Sequence, residues 1–160
     1  MTIRQKIVTH LWFDANAEEA VNFYVSLFKD SRIRHVLRYG KGDPGPEGGV
    51  MAIGFELEGQ EFGAINGGPI FKLSEAMSLF VGCDTQQEID RLWEALSDGG
   101  EIQQCGWLKD RFGLSWQINY AKYLDLVADK DPAKSRRVIE ALFGMKKVDI
   151  AALERAYAGA

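Results

Sequence analysis

Apolar and polar residues alternate with helical spacing in two similar stretches, NAEEAVNFYVSLF (Asn16–Phe28) and DTQQEIDRLWEAL (Asp84–Leu96). In both, apolar residues recur at i, i+3, i+4 and i+7, which predicts an amphipathic helix with one buried stripe. Each stretch opens on Asn or Asp and has Glu19 or Gln87 three residues later. We therefore predict a capping box at the start of both helices.

Runs rich in β-branched and aromatic residues flank the two helices and predict strands. One strand precedes each helix, at Lys6–Phe13 and at Met77–Cys83. Three candidate strands follow each helix: Arg32–Tyr39, Val50–Gly59 and Glu61–Asn66 after the first, and Glu101–Gln104, Gly106–Phe112 and Ser115–Asn119 after the second. The order strand–helix–strand–strand–strand therefore occurs twice.

This duplication predicts an α+β fold in which two βαβββ modules form a cupped mixed β-sheet within a single domain, 1–160. Module one covers about 5–66, a linker about 67–76, module two about 77–120 and a C-terminal extension about 121–160. A helix covers only one face of each sheet, so a second copy can bury the other face and enclose a cavity. The extension contains two predicted amphipathic helices, Asp131–Met145 and Asp149–Gly159, which either pack on their own domain or bind a partner.

Composition narrows the classes of partner. The formal net charge of −4 argues against binding a phosphate backbone, so we expect no nucleic-acid partner. No apolar run approaches the roughly 18 residues that span a bilayer, so we expect no membrane partner. Met1–Gln5 lacks the apolar core of a signal peptide, and two cysteines, Cys83 and Cys105, make no disulfide framework. We therefore expect a cytoplasmic protein.

Five segments carry a resemblance to a known family: LWFDANAEEAVNFYVSLFKDSRI (Leu11–Ile33), FGAINGGP (Phe62–Pro69), SLFVGCDTQQEIDRLWEALSDGGE (Ser78–Glu101), CGWLKDRFGLSWQI (Cys105–Ile118) and GMKKVDIAALERA (Gly144–Ala156). They resemble the PhnB-like branch, the 3-demethylubiquinone-9 3-methyltransferase domain, of the vicinal-oxygen-chelate superfamily of glyoxalase, bleomycin resistance and dioxygenase proteins. The resemblance covers nearly the whole chain and implies paired βαβββ modules around a cupped site. We also expect a homodimer.

Metal-dependent members of that superfamily bind their ion through His and Glu residues on the opening and closing strands of each module. The repeat places these positions at Thr9, Met77, Ala64 and Gln117. None of the four is a strong ligand, so we predict no catalytic metal. His10 lies one residue from its ligand position, and strand alternation predicts that it points away from the cup, buried or toward the helix. His35 is predicted to be a surface strand residue.

Cofactor motifs are weak. Gly40–Gly45 matches the dinucleotide-binding pattern of glycines, but Pro46 and a strand follow where that pattern needs a helix. We predict a hairpin loop, which could act as a lid. No glycine-rich strand-to-helix turn suits S-adenosylmethionine, so we predict no cofactor, and methyl transfer rests on the resemblance alone. Cys105 has no histidine partner that can be inferred and is predicted to be a structural thiol.

The candidate ligand-binding residues are those predicted to line the cup: Thr9, Leu11, Ala64, Asn66, Met77, Trp107, Lys109 and Gln117. Trp107 and Lys109 share one strand face, and an apolar wall beside a cation suits a small anionic or polar-aromatic ligand. In the alternative interpretation, Trp107 belongs to the core and Lys109 to the surface.

Three classes of function remain open. The favoured one is binding of an unknown small polar or aromatic molecule without a catalytic metal. The second is an enzyme, either a 3-demethylubiquinone-9 3-methyltransferase or a metal-dependent lyase or dioxygenase, whose catalytic residues the sequence does not identify. The third is an interaction scaffold that uses the C-terminal helices.

Overall fold

A computed structural model describes residues 4–160 and divides the chain into two compact units. The first unit ends at Leu73 and the second comprises Ser74–Ala160, so the boundary falls inside the predicted linker. Each unit contains one four-stranded sheet, with a helix between its first and second strands. None of the helices in residues 4–160 is long and apolar enough to cross a bilayer.

The first unit has five elements: β1 (Thr9–Phe13), α1 (Ala17–Leu27), β2 (Arg32–Arg38), β3 (Val50–Leu57) and β4 (Gln60–Asn66). The strand order is β1-β4-β3-β2, and β1 runs parallel to β4 while the other neighbours are antiparallel. Glu58 and Gly59 connect β3 to β4 with φ angles of 47° and 76°. A type I′ hairpin requires positive φ at both positions, so the turn lies one residue earlier than predicted.

The second unit repeats this order with β5 (Ser78–Cys83), α2 (Gln86–Ser97), β6 (Glu101–Ile102), β7 (Trp107–Lys109) and β8 (Ser115–Tyr120). Its strand order, β5-β8-β7-β6, is equivalent to that of the first sheet. The predicted α+β fold of two βαβββ modules is therefore confirmed. The chain then forms α3 (Tyr123–Val127), α4 (Pro132–Phe143) and α5 (Ile150–Ala158), of which α3 was not predicted.

The core of the first unit lies between α1 and one face of its sheet. Leu11 and Phe13 of β1 and Ile53 of β3 are almost fully buried on this face. The helix contributes its own buried stripe, Ala17, Ala20, Val21 and Tyr24. Because side chains alternate along a strand, the residues between these buried ones point to the opposite face. We call that opposite face the far face of the first sheet.

The C-terminal helices complete the core of the second unit. Their apolar stripes are buried through Val138 and Leu142 of α4 and Leu153 of α5. The turn after α4 also fixes the loop before β7, since the carbonyls of Met145 and Lys146 accept hydrogen bonds from the two residues preceding Trp107, each at 2.8 Å. The extension therefore packs on its own unit.

The two helix starts are capped differently from the prediction. Asn16 makes no side-chain capping bond to α1. Instead, Asn66 Oδ1 accepts a hydrogen bond from the Ala17 amide at 2.9 Å, while its Nδ2 donates to the Val50 carbonyl at 3.1 Å. A residue from the closing strand thus supplies the acceptor that the helix lacks locally.

In α2 a variant of the capping box begins one residue later than predicted, and its return bond goes to the residue before the cap. Thr85 Oγ1 accepts from the Glu88 amide at 3.2 Å, and Glu88 Oε2 accepts in return from the Asp84 amide at 3.0 Å. Thr85 takes the capping role because its backbone is extended, with ψ of 153°, immediately before the first helical residue.

Replacing the capping side chain tests this account of α1. Asn66→Ala removes both hydrogen bonds and should lower the free energy of unfolding by about 1–2 kcal/mol. Asn16→Ala is the matched control and should cost less than about 0.5 kcal/mol, because no capping bond is lost. Urea unfolding measures both, and a larger loss for Asn16→Ala than for Asn66→Ala would refute the assignment.

Candidate functional site

The register between β1 and β4 decides which side chains reach the far face of the first sheet. Thr9 is paired with Phe62 and His10 with Gly63. Since Leu11 and Phe13 lie under α1, His10 and Trp12 point to the far face. His10 is exposed there, and the prediction of a buried or helix-facing histidine is wrong.

A β-bulge in β2 adds two more side chains to this face. Ile33 is paired with Phe55 and His35 with Gly54, so Arg34 is the extra residue on β2. A bulge lets two successive side chains project to one side of a sheet, where regular alternation would separate them. Both Arg34 and His35 consequently line the same cavity.

That cavity lies on the far face and has a volume of about 240 Å³. Its side chains come from β1, β2, β4 and the segment before β1, namely Val8, His10, Arg34, His35 and Glu61. The centre of its floor is formed by Gly54 and Gly63, which are cross-strand partners.

The two histidine rings lie over these glycines. A Cβ atom on Gly63 would be 2.6 Å from His10 Cε1, and one on Gly54 would overlap the His35 ring. Because Gly54 and Gly63 are cross-strand partners, with Cα atoms about 5 Å apart, the two rings cover neighbouring parts of one patch of backbone. Each neutral imidazole offers one hydrogen-bond donor and one acceptor. The cavity can therefore bind polar groups of either kind.

A buried ion cluster closes one end of the cavity. The Arg34 guanidinium contacts the Glu56 carboxylate and lies 3.6 Å from Glu61 Oε1. Arg32 Nε donates to Glu56 Oε2 at 2.8 Å. Glu61 Oε2 accepts from the backbone amides of the chain start, at 3.0 Å from Arg4 and 3.1 Å from Gln5. The cluster therefore fixes Arg34 and holds the backbone of Arg4 and Gln5 at the same point.

The charge state of Glu56 follows from these contacts. Hydrogen bonding to Arg34 holds the pKa of the Glu56 carboxyl below its ordinary value, with a further contribution from Arg32, although burial acts in the opposite direction. Glu56 and Glu61 are both buried, with 4% and 7% of their surface exposed. Both were missed in the sequence, as was Arg34, because their proximity depends on strand register and on the bulge.

Of the predicted ligand-binding residues of module one, Ala64 lies among the residues that line the cavity, but it is paired with Leu11 and its side chain shares the buried face under α1. Leu11 is 1% exposed and lies under α1, and Asn66 is engaged in capping that helix. Thr9 shares the strand phase of Leu11 and is half-buried. The predicted cup-facing positions on β1 were thus one residue out of phase.

Three of the ligand-binding residues predicted in module two, Trp107, Lys109 and Gln117, share the sheet face opposite α2. We call this face the far face of the second sheet. Trp107 is paired with Gln117 on this face, and Lys109 with Ser115. Gln117 Nε2 donates to Ser78 Oγ at 2.9 Å.

Lys109 Nζ lies 2.5 Å from Glu75 Oε1, a contact that raises the pKa of the lysine. Trp107 is half-buried rather than part of the core, and Met77, which precedes β5, is 49% exposed. The predicted pairing of an apolar wall with a cation is present on this face, but the cation already has a partner.

The residues do not fit the metal site that the fold family implies. Within residues 4–160 no group of three His, Cys, Asp or Glu side chains could hold an ion. On the opening strands the far-face residues at equivalent positions are His10 and Ser78, and the closing-strand residues paired with them are Gly63 and Ser115. One imidazole and weak hydroxyl donors do not make a chelate for a divalent ion.

The segment Gly40–Gly45 does not form a binding site for the phosphates of a nucleotide cofactor either. This segment connects β2 to β3, so it is a hairpin loop as predicted, and no helix follows it. The loop therefore lacks the helix-end amides that bind a pyrophosphate.

The family of the chain follows from a match to a family model. The model described as 3-demethylubiquinone-9 3-methyltransferase matches residues 5–119, which include both sheets apart from Tyr120, the last residue of β8. The chain belongs to this family. The match ends before α3, so the three C-terminal helices lie outside it. No curated protein matches the sequence.

Solved structures agree with this assignment. A PhnB protein from Bacillus cereus is 42% identical over 72% of this chain and 99% of its own, with a TM-score of 0.67. Protein PA1353 from Pseudomonas aeruginosa, at 23% identity, 72% and 98% coverage and a TM-score of 0.61, shares the fold. So does the fosfomycin resistance protein FosX from Mesorhizobium loti, at 12% identity, 75% and 93% coverage and a TM-score of 0.53.

The lowered pKa of Glu56 predicts a specific dependence of stability on pH. A carboxyl with a depressed folded-state pKa stabilises the protein above its ordinary pKa of 4.5, and this contribution is lost as the pH falls through the lower folded value. Glu56→Gln should therefore lower the free energy of unfolding at neutral pH. It should also make the loss of this free energy between neutral and acidic pH smaller than in the unmodified protein. Urea unfolding between neutral pH and pH values below 4.5 measures both effects.

The control for this prediction is Glu94→Gln, which changes an exposed carboxylate on α2. It should leave the acid limb of the stability profile unchanged. If the free energy of unfolding of Glu56→Gln fell in acid as steeply as that of the unmodified protein, the buried cluster would not contribute to stability as described.

Proposed function

We propose that this PhnB-like protein binds a small polar or aromatic molecule on the far face of its first sheet, without a catalytic metal. The observation that carries the proposal is the convergence of His10, His35 and Arg34 on one cavity whose floor is the glycine pair. Polar side chains that meet in a concavity are typical of ligand sites, and the bulge in β2 supplies two of the three here.

The size of the cavity supports a small ligand. Its volume of about 240 Å³ lies just below the range of about 300–1,000 Å³ found for ligand pockets. A single ring with one or two substituents fits such a volume, whereas a nucleotide does not. In the second unit, the half-buried Trp107 and Gln117 on the far face of that sheet, together with Lys109 and Met77, stay separate candidate ligand contacts of that unit.

Methyl transfer is the second candidate function, because the description of the family names it. The glycine loop between β2 and β3 does not favour it, since it offers no helix terminus to a cofactor. A metal-dependent lyase or dioxygenase requires a ligand set that residues 4–160 do not supply.

For the scaffold hypothesis, the burial of Val138, Leu142 and Leu153 leaves less apolar surface for a partner. The homodimer and the cytoplasmic location stay predictions.

A fragment screen by NMR tests the proposed site. With ¹⁵N-labelled protein, we expect small polar aromatic fragments to shift the amide resonances of Gly54 and Gly63. Gly63→Val should abolish the shift of the Gly54 amide, because the new side chain fills the floor and displaces the His10 ring. Gly40→Ala is the matched control, since a Cβ there meets nothing closer than Asp43 Oδ2 at 3.4 Å, and it should leave binding unchanged.

Fragments that shift only resonances elsewhere, or a screen without binders, would refute the site. S-adenosylmethionine in the same titration separates methyl transfer from binding, and we expect no saturable shift. Saturable binding of S-adenosylmethionine, or stoichiometric divalent metal in protein purified without added ions, would instead favour the enzyme hypotheses.

A further inference from the structure

The side chains on the far face of the first sheet form three rows across the strands. The polarity of the rows decreases from one end of the strands to the other. Cross-strand pairing places Arg32, Glu56 and Glu61 in the first row. His10, Gly63, Gly54 and His35 form the second row, and Trp12, Ile65, Ala52 and Leu37 form the third. Successive rows are two residues apart, or about 7 Å. The face therefore changes from charged to apolar over roughly the length of a small molecule.

At the charged end, the guanidinium of Arg34 lines the cavity, and its charge is already neutralised. Arg34 contacts two carboxylates, those of Glu56 and Glu61, and its side chain is 14% exposed. Arg32 also binds Glu56, but its side chain is 60% exposed, so solvent screens its charge. An anionic ligand near Arg34 would be repelled by the two buried carboxylates, and a charged group of either sign would have to lose its hydration.

At the apolar end, the indole of Trp12 presents carbon atoms rather than its polar nitrogen. Trp12 Nε1 donates to the Gly68 carbonyl at 3.0 Å. The ring packs edge-on against Phe71, with the centroids 4.9 Å apart. Phe71 and Leu37 are more than half exposed. This row therefore offers a surface on which an apolar ring can pack.

We propose that the ligand of this face is an uncharged amphipathic molecule, with an apolar ring on the Trp12 row and a hydroxyl or carbonyl group between the two imidazoles. The inference rests on the proposed function and specifies its class of ligand. The imidazoles supply both a donor and an acceptor for such a group, and the glycine floor lets it approach the backbone. The engaged guanidinium selects against anions.

Three probes of one size and different charge test this selection: benzyl alcohol, benzoate and benzylammonium. At one fixed pH for all three probes, ¹⁵N NMR titration should show benzyl alcohol shifting the Gly54 and Gly63 amides and the Trp12 indole N–H. We expect its dissociation constant to be at least about fivefold lower than those of the two ions. Equal or tighter binding of benzoate or benzylammonium at the same resonances would overturn the inference and leave the proposed site intact.

A variant that releases Arg34 provides the second test. Glu61→Gln keeps the size of the side chain but removes one of the two carboxylates, so benzoate binding at Gly54 and Gly63 should strengthen at least about threefold. Glu75→Gln is the matched control, because it releases Lys109 of the second unit and should not change benzoate binding at these glycines. An unchanged benzoate affinity in Glu61→Gln would contradict the selection against anions. If none of the three probes shifted these resonances, the proposed function itself would fail.

Discussion

The packing of α1 on alternate residues of the first sheet is the constraint on which the site depends. Leu11 and Phe13 are buried under the helix, so the residues between and before them, Trp12 and His10, must face the other way. A one-residue change of phase would exchange His10 for Thr9 on the far face and remove the imidazole from the cavity. The apolar core of the unit thus fixes the polar chemistry of its opposite surface.

Two local departures from regular structure then convert this surface into a site. The bulge at Arg34 brings a guanidinium and an imidazole to the same side of β2, and the pair Gly54 and Gly63 leaves room for both histidine rings. The buried Glu56 neutralises the guanidinium and holds it in place. Strand propensity alone favours neither the glycines nor the bulge, and both are explained by the cavity that they create.

Hydrophobic periodicity was sufficient to predict most of the fold. It located both modules and two of the three C-terminal helices, because these elements bury clear apolar stripes. The capping of α1 could not be predicted from its own sequence, since Asn66, which supplies the acceptor, lies on a distant strand. The short helix α3 has no buried residue, so it carries no periodic signal.

The site was less predictable than the fold. An apparent similarity between the closing strands suggested that Ala64 is equivalent to Gln117, but the registers make Trp116 the equivalent of Ala64. Separately, the count back from the helix caps places Thr9, and with it Leu11, on the face of β1 that lies under α1, while Trp107 and Gln117 do share one face. Register is a tertiary property, and local sequence similarity between two strands does not determine it.

The orientation of His10 is the most direct test of this account. In the unliganded protein, nuclear Overhauser effects should connect the His10 ring protons to the Hα protons of Gly63, and those of His35 to Gly54. Contacts from the His10 ring to Val21 or Tyr24 of α1 would show that the strand phase is reversed, and the proposed site would then be lost.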